Sequence, residues 1–228
     1  MKTQTKKNNN KTRKEKINEI KVKIANGKEH FLNGNYDEAE EILTLARGKA
    51  FGLMSEYLPG NNEEWLDIME EAVMALYEFY LDAGNKYFDE DDIKNAMDYA
   101  NRAIDSHPLN TRAYHLRSDL LKQLGEFDEA IQDLKTVFSL DSEPWRVYVR
   151  LAQIYILKMS KNTAMEMIDN ALKLKPDYHE AFYTRALIKS IMGDFDGALA
   201  DVEEALKMKP QDSEYVSLRE MVIKIKNK

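Results

Sequence analysis

Small and apolar residues recur along this chain with a period of 34 residues. Three columns show the period: alanine at Ala96, Ala130, Ala164 and Ala198, an aromatic ring at Tyr80, Tyr114, Tyr148 and Phe182, and a small apolar residue at Ala103, Val137, Ala171 and Ala205. A fixed period of this length is typical of repeat architectures, in which each unit is one supersecondary element. The pattern predicts that each unit is a pair of helices joined by a turn.

Small residues and helix breakers mark positions inside each predicted pair. A large side chain in the Ala96 column would overpack the crossing of the two helices, at a cost of roughly 1 to 3 kcal/mol. A second small column predicts where the first helix of each pair approaches the second closely. Its members are Gly84, Ser118, Ala152 and Ala186. Gly125 and Gly193 are predicted to turn the chain, and the prolines to stop the second helix, because proline cannot continue a helix interior. These prolines are Pro108, Pro176 and Pro210.

Three segments carry a recognisable signature: GNYDEAEEILTLA at 34–46, GEFDEAIQDLKTVF at 125–138 and GDFDGALADVEEALKMKP at 193–210. They resemble the tetratricopeptide repeat (TPR) family. The resemblance implies an all-α fold, a right-handed superhelical solenoid of about five helix-turn-helix units with a C-terminal capping helix. The units are predicted at about 20–53, 77–110, 111–144, 145–178 and 179–212. Residues 213–228 are interpreted as the capping helix, with Tyr215, Leu218, Val222 and Ile225 on one face.

Two features depart from the regular repeat. Met159, Ser160 and Lys161 stand where the neighbouring units have glycine and an aromatic residue, so this turn is predicted to be irregular. An insertion at about 54–76 is predicted to lengthen two helices, the second of which would run from about Glu63 to Phe88 over roughly 40 Å. The two extensions either pack on each other or form a surface for a dimer or a client protein. Their apolar residues are Phe51, Met54, Tyr57, Leu58, Trp65, Ile68 and Met69.

Composition and charge narrow the class of protein. The chain has 228 residues, of which 43% are hydrophobic, and no cysteine, so disulfides, thiolate metal sites and cysteine nucleophiles are excluded. Nine Lys/Arg against Glu15 and Glu19 make residues 1–23 basic, while the rest of the chain is acidic. Residues 1–19 are predicted to be a disordered basic tail. Because no apolar run of membrane-spanning or signal-peptide length occurs, we expect no membrane association and a cytoplasmic location.

The residues give little sign of catalytic chemistry. The four histidines, His30, His107, His115 and His179, do not stand at metal-ligand spacings. The run from Asp89 to Asp92 lacks the alternating ligands and central glycine of a calcium loop, and we expect it to serve the start of the next helix. We therefore predict no metal, no cofactor and no enzymatic activity.

The resemblance implies a concave groove lined by the first helix of each unit. The side chains predicted to face it are Asn85, Arg112, His115, Asp119, Arg146, Val149, Arg150, Gln153, Tyr183 and Thr184. Arg146 and Arg150 are four residues apart, so they share a helix face and their guanidinium groups could both donate hydrogen bonds to a carboxylate. Alternatively, they are solvated arginines beside acidic neighbours.

Chaperone-binding members of the family hold an acidic peptide end with five residues. The matching columns here are Leu81, Asn85, Leu116, Arg146 and Arg150, of which Leu81 and Leu116 lack suitable chemistry. This partial match favours a co-chaperone-like scaffold or adaptor that binds a peptide segment of another protein, with an acidic segment as one form of it. The alternative is a nucleic-acid-associated regulatory protein that acts through the basic tail. That alternative is less favoured, because the tail has no aromatic residue for base stacking.

Overall fold

The structure is a computed structural model that describes residues 12–57, 63–140 and 143–227. These residues form five helix pairs followed by a single helix, with no strand among them. The helices are α1 (Arg13–Leu32), α2 (Tyr36–Tyr57), α3 (Glu63–Asp89), α4 (Ile93–Ser106), α5 (Thr111–Leu124), α6 (Phe127–Leu140), α7 (Pro144–Leu157), α8 (Lys161–Leu174), α9 (His179–Met192), α10 (Phe195–Met208) and α11 (Ser213–Lys226). They divide into two compact units, 1–116 and 117–228, with the boundary inside α5.

The first helix begins earlier than the sequence indicated. Thr12 and Glu15 form a reciprocal capping box that starts α1, with the Glu15 backbone N–H donating to Thr12 Oγ1 at 3.3 Å. Ile17, Ile20 and Ile24 then bury one face of the helix. The prediction of a disordered tail over 1–19 is therefore wrong for residues 13–19, and residues 1–11 lie outside the described part of the chain.

The insertion lengthens α2 to 22 residues and α3 to 27 residues, whereas the later helices have 14. Helix α2 packs against α3, and α1 packs against both. Ala50 and Ile68 are buried in the extended part, while Phe51 is 48% exposed and Leu66 is 54% exposed. Packing of the extensions on each other therefore covers part of their apolar surface and leaves part uncovered. The side chains of Met54, Tyr57, Leu58 and Trp65 lie outside the described residues.

The surroundings of Gly84 on α3 show why this column needs a small residue. A Cβ atom added at Gly84 would lie 2.9 Å from Leu116 Cδ2 on α5, which is too close for two carbon atoms, and 3.5 Å from the Ala96 carbonyl oxygen on α4. The other three members of this column are buried as well. The acidic run ends in a helix cap, since Asp92 precedes α4 and its Oδ1 accepts from the Asn95 backbone N–H at 3.2 Å.

The small residues at the helix crossings are buried in both units. All four members of the Ala96 column and all four of the Ala103 column are fully buried. Helices α4, α8 and α10 each end two residues before their proline, so the prolines act as the predicted stops.

The turn at Met159 is regular, contrary to the prediction. Met159 has φ of 59°, in the left-handed region where Gly34, Gly125 and Gly193 have φ of 80° to 86°. The chain therefore makes the same turn with methionine, a residue that adopts this conformation at a cost. The Met159 side chain is 80% exposed.

The last helix, α11, packs on α10 and α9. Tyr215, Leu218 and Val222 are buried against the final pair, in one cluster with Ala186 and Val202. Ile225, which was predicted to share their face, is half-exposed. It stands one period after Ile191 and two after Leu157, and both of these are half-exposed too.

No helix in the described ranges is long and apolar enough to cross a membrane.

Candidate peptide-binding surface

In the first unit, the candidate residues are largely engaged by their own neighbours. Arg112 donates through Nη1 to both carboxylate oxygens of Glu78, at 2.7 and 2.8 Å. Asn85 Nδ2 donates to the backbone carbonyl of Leu81, one turn back on α3, at 2.9 Å. Burial, and then the charge of Glu78, raises the pKa of Asp82 on the same helix. This surface therefore carries two carboxylates beside one paired arginine, and His115 lies partly buried on α5.

In the second unit, Arg146 and Arg150 lie one turn apart on α7, as the sequence predicted. Arg146 is the more exposed, at 56% of its side chain, and its Nε donates to Glu143 Oε2 at 2.7 Å. Arg150 is 35% exposed, and its Nη1 donates to Asp119 Oδ2 at 2.7 Å. The interpretation of arginines beside acidic neighbours thus describes both residues.

Asp119, another candidate, is the centre of a small charged cluster. Besides Arg150, it accepts a hydrogen bond from Lys122 Nζ at 2.9 Å. Burial by itself raises the pKa of the Asp119 carboxyl, but Arg150 and Lys122 together outweigh burial and hold that pKa below its ordinary value. Asp119 is therefore a carboxylate at neutral pH and a fixed partner of Arg150.

Tyr178, in the loop before α9, adds an aromatic ring to this surface. Its hydroxyl donates to Glu180 Oε2. Burial, followed by this hydrogen bond, raises the pKa of the Tyr178 phenol, while the charges of Arg146 and Arg150 act in the opposite direction. The two arginines are therefore close enough to the Tyr178 phenol for their charges to affect its pKa.

Two predicted groove residues are not available to a ligand. Val149 packs in the core cluster of α7 to α9, and Thr184 is fully buried on α9. Their assignment to the groove surface is wrong, because each points into the repeat and away from the exposed side of its helix. Gln153 is partly buried on α7. The clamp columns Leu81 and Leu116 are buried as well, so they offer no polar contact.

Tyr183 is partly covered by the last helix. Its ring stacks on Tyr215 with centroids 4.7 Å apart and planes 27° from parallel. Nδ1 of His179 lies 2.8 Å from the Tyr215 hydroxyl oxygen. Burial, and then Glu214 and Asp212, raises the pKa of Tyr183. One face of this ring is therefore used by α11, which limits what Tyr183 can offer to a ligand.

Four charged or aromatic residues of this surface were missed by sequence reasoning: Lys122, Glu143, Tyr178 and Glu180. Lys122 and Glu143 stand three residues from Asp119 and Arg146, a spacing that places helix neighbours together and could have been used. Tyr178 comes near the arginines only through the packing of successive helices, and Glu180 is its hydrogen-bond partner, so no local pattern indicates these two residues.

No group of three His, Asp or Glu side chains in the described ranges is arranged to hold a metal ion.

Comparison with known proteins identifies the repeats. The tetratricopeptide repeat family model matches residues 111–144, 146–178 and 179–212. These residues are therefore three consecutive tetratricopeptide repeats, and the predicted resemblance to that family is confirmed.

Solved TPR structures extend the likeness to most of the chain. A tetratricopeptide repeat protein from Parabacteroides merdae superposes with a TM-score of 0.62 at 18% identity, covering 89% of this chain and 72% of that chain. A thermophilic TPR protein from Thermus thermophilus gives a TM-score of 0.56 at 17% identity, covering 90% of this chain and 98% of that chain. The all-α TPR-solenoid fold class is confirmed.

Two curated relatives each match less than half of the chain. Stress-induced-phosphoprotein 1 of Caenorhabditis elegans is 33% identical over 98 residues, which are 43% of this chain and 31% of that protein. DnaJ homolog subfamily C member 7 of Homo sapiens is 30% identical over 97 residues, which are 42% of this chain and 20% of that protein. The chain thus spans less than a third of the length of either relative.

Proposed function

We propose that this protein is an interaction scaffold that binds a peptide segment of another protein on the exposed side of α7 and α9 in the second unit. The observation that carries the proposal is the pair of arginines one turn apart on α7, both reachable by solvent. Their charges also act to lower the pKa of the Tyr178 phenol. Guanidinium groups offer planar donors to peptide carbonyls and carboxylates, and a tyrosine ring offers apolar area beside them.

The scaffold is proposed to use Arg146, Arg150, Gln153 and the open face of Tyr183. Exposed ion pairs contribute only about 0.2 to 1 kcal/mol each, so the Glu143 partner of Arg146 can be exchanged for a ligand group at little cost. The candidates Asn85, Arg112 and His115 belong to the first unit. The part of these first-unit residues in binding is tested by a separate variant, Arg112→Glu.

We further propose that the protein is a non-enzymatic adaptor in the cytoplasm with a co-chaperone-like role. Two relatives carry the names stress-induced-phosphoprotein and DnaJ homolog. A role beside chaperones is proposed on that similarity, and the missing polar groups at Leu81 and Leu116 argue for a ligand different from that of a complete five-residue clamp.

The test is an affinity capture from a lysate of cells that make the protein. The bait would be the intact chain, an Arg146→Glu/Arg150→Glu variant and a chain lacking residues 1–11, which precede the capping box of α1. A matched control, Lys207→Glu/Lys224→Glu, makes the same charge change on α10 and α11. We expect one protein partner to be retained by the intact, tail-less and control baits and lost only with the α7 variant.

The captured partner would then be cut into overlapping peptides and titrated against the same four proteins by calorimetry. A segment whose affinity falls at least about tenfold, or 1.4 kcal/mol, with the α7 variant defines the ligand. If only nucleic acid is captured, and only by chains that retain residues 1–11, the scaffold proposal is wrong and the alternative of a nucleic-acid-associated protein replaces it.

A further inference from the structure

The two arginines of α7 have acidic side chains around them. Three cationic side chains, Lys122, Arg146 and Arg150, are paired with two carboxylates of the same unit, Asp119 and Glu143. A third carboxylate, Glu180, accepts a hydrogen bond from Tyr178. The surface therefore differs from a purely cationic one, on which each added carboxylate of a ligand would strengthen binding.

The two arginines are held in different ways. Glu143 lies just before α7, three residues from Arg146, and its side chain is 40% exposed, so it can rotate into water when a ligand arrives. Asp119 comes from α5, is 26% exposed, and is held by Lys122 as well as by Arg150. Because it has two cationic partners and little contact with water, Asp119 stays on Arg150 when a ligand binds.

We propose that Asp119 is a specificity-determining residue. It leaves one binding position for a ligand carboxylate, on Arg146, and so disfavours a segment with two adjacent carboxylates. This inference rests on the proposed function and names the ligand class of the same surface. The ligand is a peptide segment with a single acidic side chain and polar or aromatic neighbours.

The physical reason is like-charge repulsion at Arg150. A second carboxylate on this guanidinium would lie beside Asp119, at a distance of about two hydrogen-bond lengths, in a partly buried place where charges are weakly screened. Arg150 and Lys122 donate to different carboxylate oxygens of Asp119. Replacing Asp119 by asparagine removes the negative charge and keeps one side-chain oxygen as an acceptor. The variant should therefore keep one of the two local hydrogen bonds and allow a second ligand carboxylate to bind at Arg150.

The experiment uses three ten-residue fluorescent peptides with amidated ends and the same neutral residues, carrying no aspartate, one aspartate, or two adjacent aspartates. Binding to the full chain is followed by fluorescence anisotropy. On the natural protein, we expect the second aspartate to bring no gain in affinity over the first. On Asp119→Asn, we expect the two-aspartate peptide to bind about tenfold tighter than on the natural protein, and the one-aspartate peptide to change by less than about threefold.

The matched control is Asp128→Asn. Asp128 is paired with Lys158 at 2.6 Å in the same unit, so this variant changes the net charge equally without touching either arginine, and it should show no selective gain. A second variant, Asp119→Ser, repeats the test if circular dichroism shows that Asp119→Asn has lost helix.

The inference is overturned if the natural protein binds the two-aspartate peptide more than about tenfold tighter than the one-aspartate peptide. It is also overturned if Asp119→Asn does not increase the affinity for the two-aspartate peptide relative to the one-aspartate peptide, whether because the peptides bind equally or because none binds. Its failure is distinguishable from failure of the proposed function. If a captured partner is lost with Arg146→Glu/Arg150→Glu and the aspartate series shows no role for Asp119, only this inference is wrong.

Discussion

The ion pair between Arg117 and Asp133 offers a sharp test of how the repeats are held together. Arg117 Nε donates to Asp133 Oδ2 at 2.8 Å, and Arg117 Nη2 donates to Asp133 Oδ1 at 2.6 Å. The Asp133 side chain is 6% exposed and that of Arg117 is 27% exposed. One period later, the same two positions are occupied by Leu151 and Met167. The next unit therefore fills this place with apolar side chains.

We expect the two single changes to be unequal. Arg117→Leu leaves a buried carboxylate without its bidentate partner and should lower the free energy of unfolding by about 3 to 4 kcal/mol. Asp133→Met leaves a guanidinium that can still reach water, so the loss should be smaller, about 2 to 3 kcal/mol. The double variant Arg117→Leu/Asp133→Met should lie within about 1 kcal/mol of the natural protein, because apolar residues of similar volume can replace a buried pair.

The measurement is equilibrium unfolding in urea, followed by circular dichroism, for the natural protein and the three variants. The double-mutant cycle should give a coupling of at least about 3 kcal/mol between the two positions. If the two single losses simply add in the double variant, the pair does not act as a unit and the reasoning fails.

The equivalent pair in the last unit provides the control. Arg185 binds Asp201 in the same bidentate way, but Lys189 Nζ also lies 2.8 Å from Asp201. The matching double variant, Arg185→Leu/Asp201→Met, leaves Lys189 without this acceptor. We therefore expect it to remain destabilised, and equal behaviour of the two double variants would contradict this account.

Three further outcomes are expected. Met159→Gly should stabilise the protein by about 1 kcal/mol, because glycine adopts the left-handed turn without strain; an unchanged urea midpoint would argue against this strain. Asp82→Asn should raise the melting temperature at pH 7. The pKa of Asp82 is raised in the folded protein, so the Asp82 carboxyl contributes stability when it is protonated, below about pH 4, and this contribution is lost as pH rises through the folded pKa. The gain should vanish near pH 3, and a gain that persists there would have another cause. If the predicted self-association through Phe51–Met69 occurs, Phe51→Ser/Leu66→Ser should reduce the mass measured by light scattering to that of a monomer, whereas a monomeric natural protein excludes this association.

Much of the repeat architecture could be read from the order of residues. The Ala96 column, the small column at Gly84 and the prolines after α4, α8 and α10 mark contacts between helices that are neighbours in sequence. Such contacts depend on residue size and on the ability to continue a helix, which are local properties of the chain. The start of α1 could also have been found, because Thr12 and Glu15 form a capping signal that can be recognised from sequence.

The candidate surface was only partly predictable. Arg146 and Arg150 share a helix face because their spacing requires it, but Val149 and Thr184 also lie on first helices and proved to be buried. The boundary between the core side and the exposed side of a helix depends on where the neighbouring helices cross it, and a single sequence does not contain those crossing positions. For the same reason, the stacking of Tyr215 on Tyr183 was not foreseen.

By itself, the sequence determined that this protein is a series of helix pairs with a 34-residue period. It also determined the positions at which the two helices of a pair approach closely and the positions at which the chain turns. Only the tertiary structure decided which charges meet: Asp119 with Arg150 across 31 residues, and Arg117 with Asp133 across 16. The small and apolar positions at helix contacts recur in every unit and can therefore be recognised in the sequence. An ion pair forms only where two particular side chains approach to about 3 Å, and that distance depends on how successive helices lie against each other.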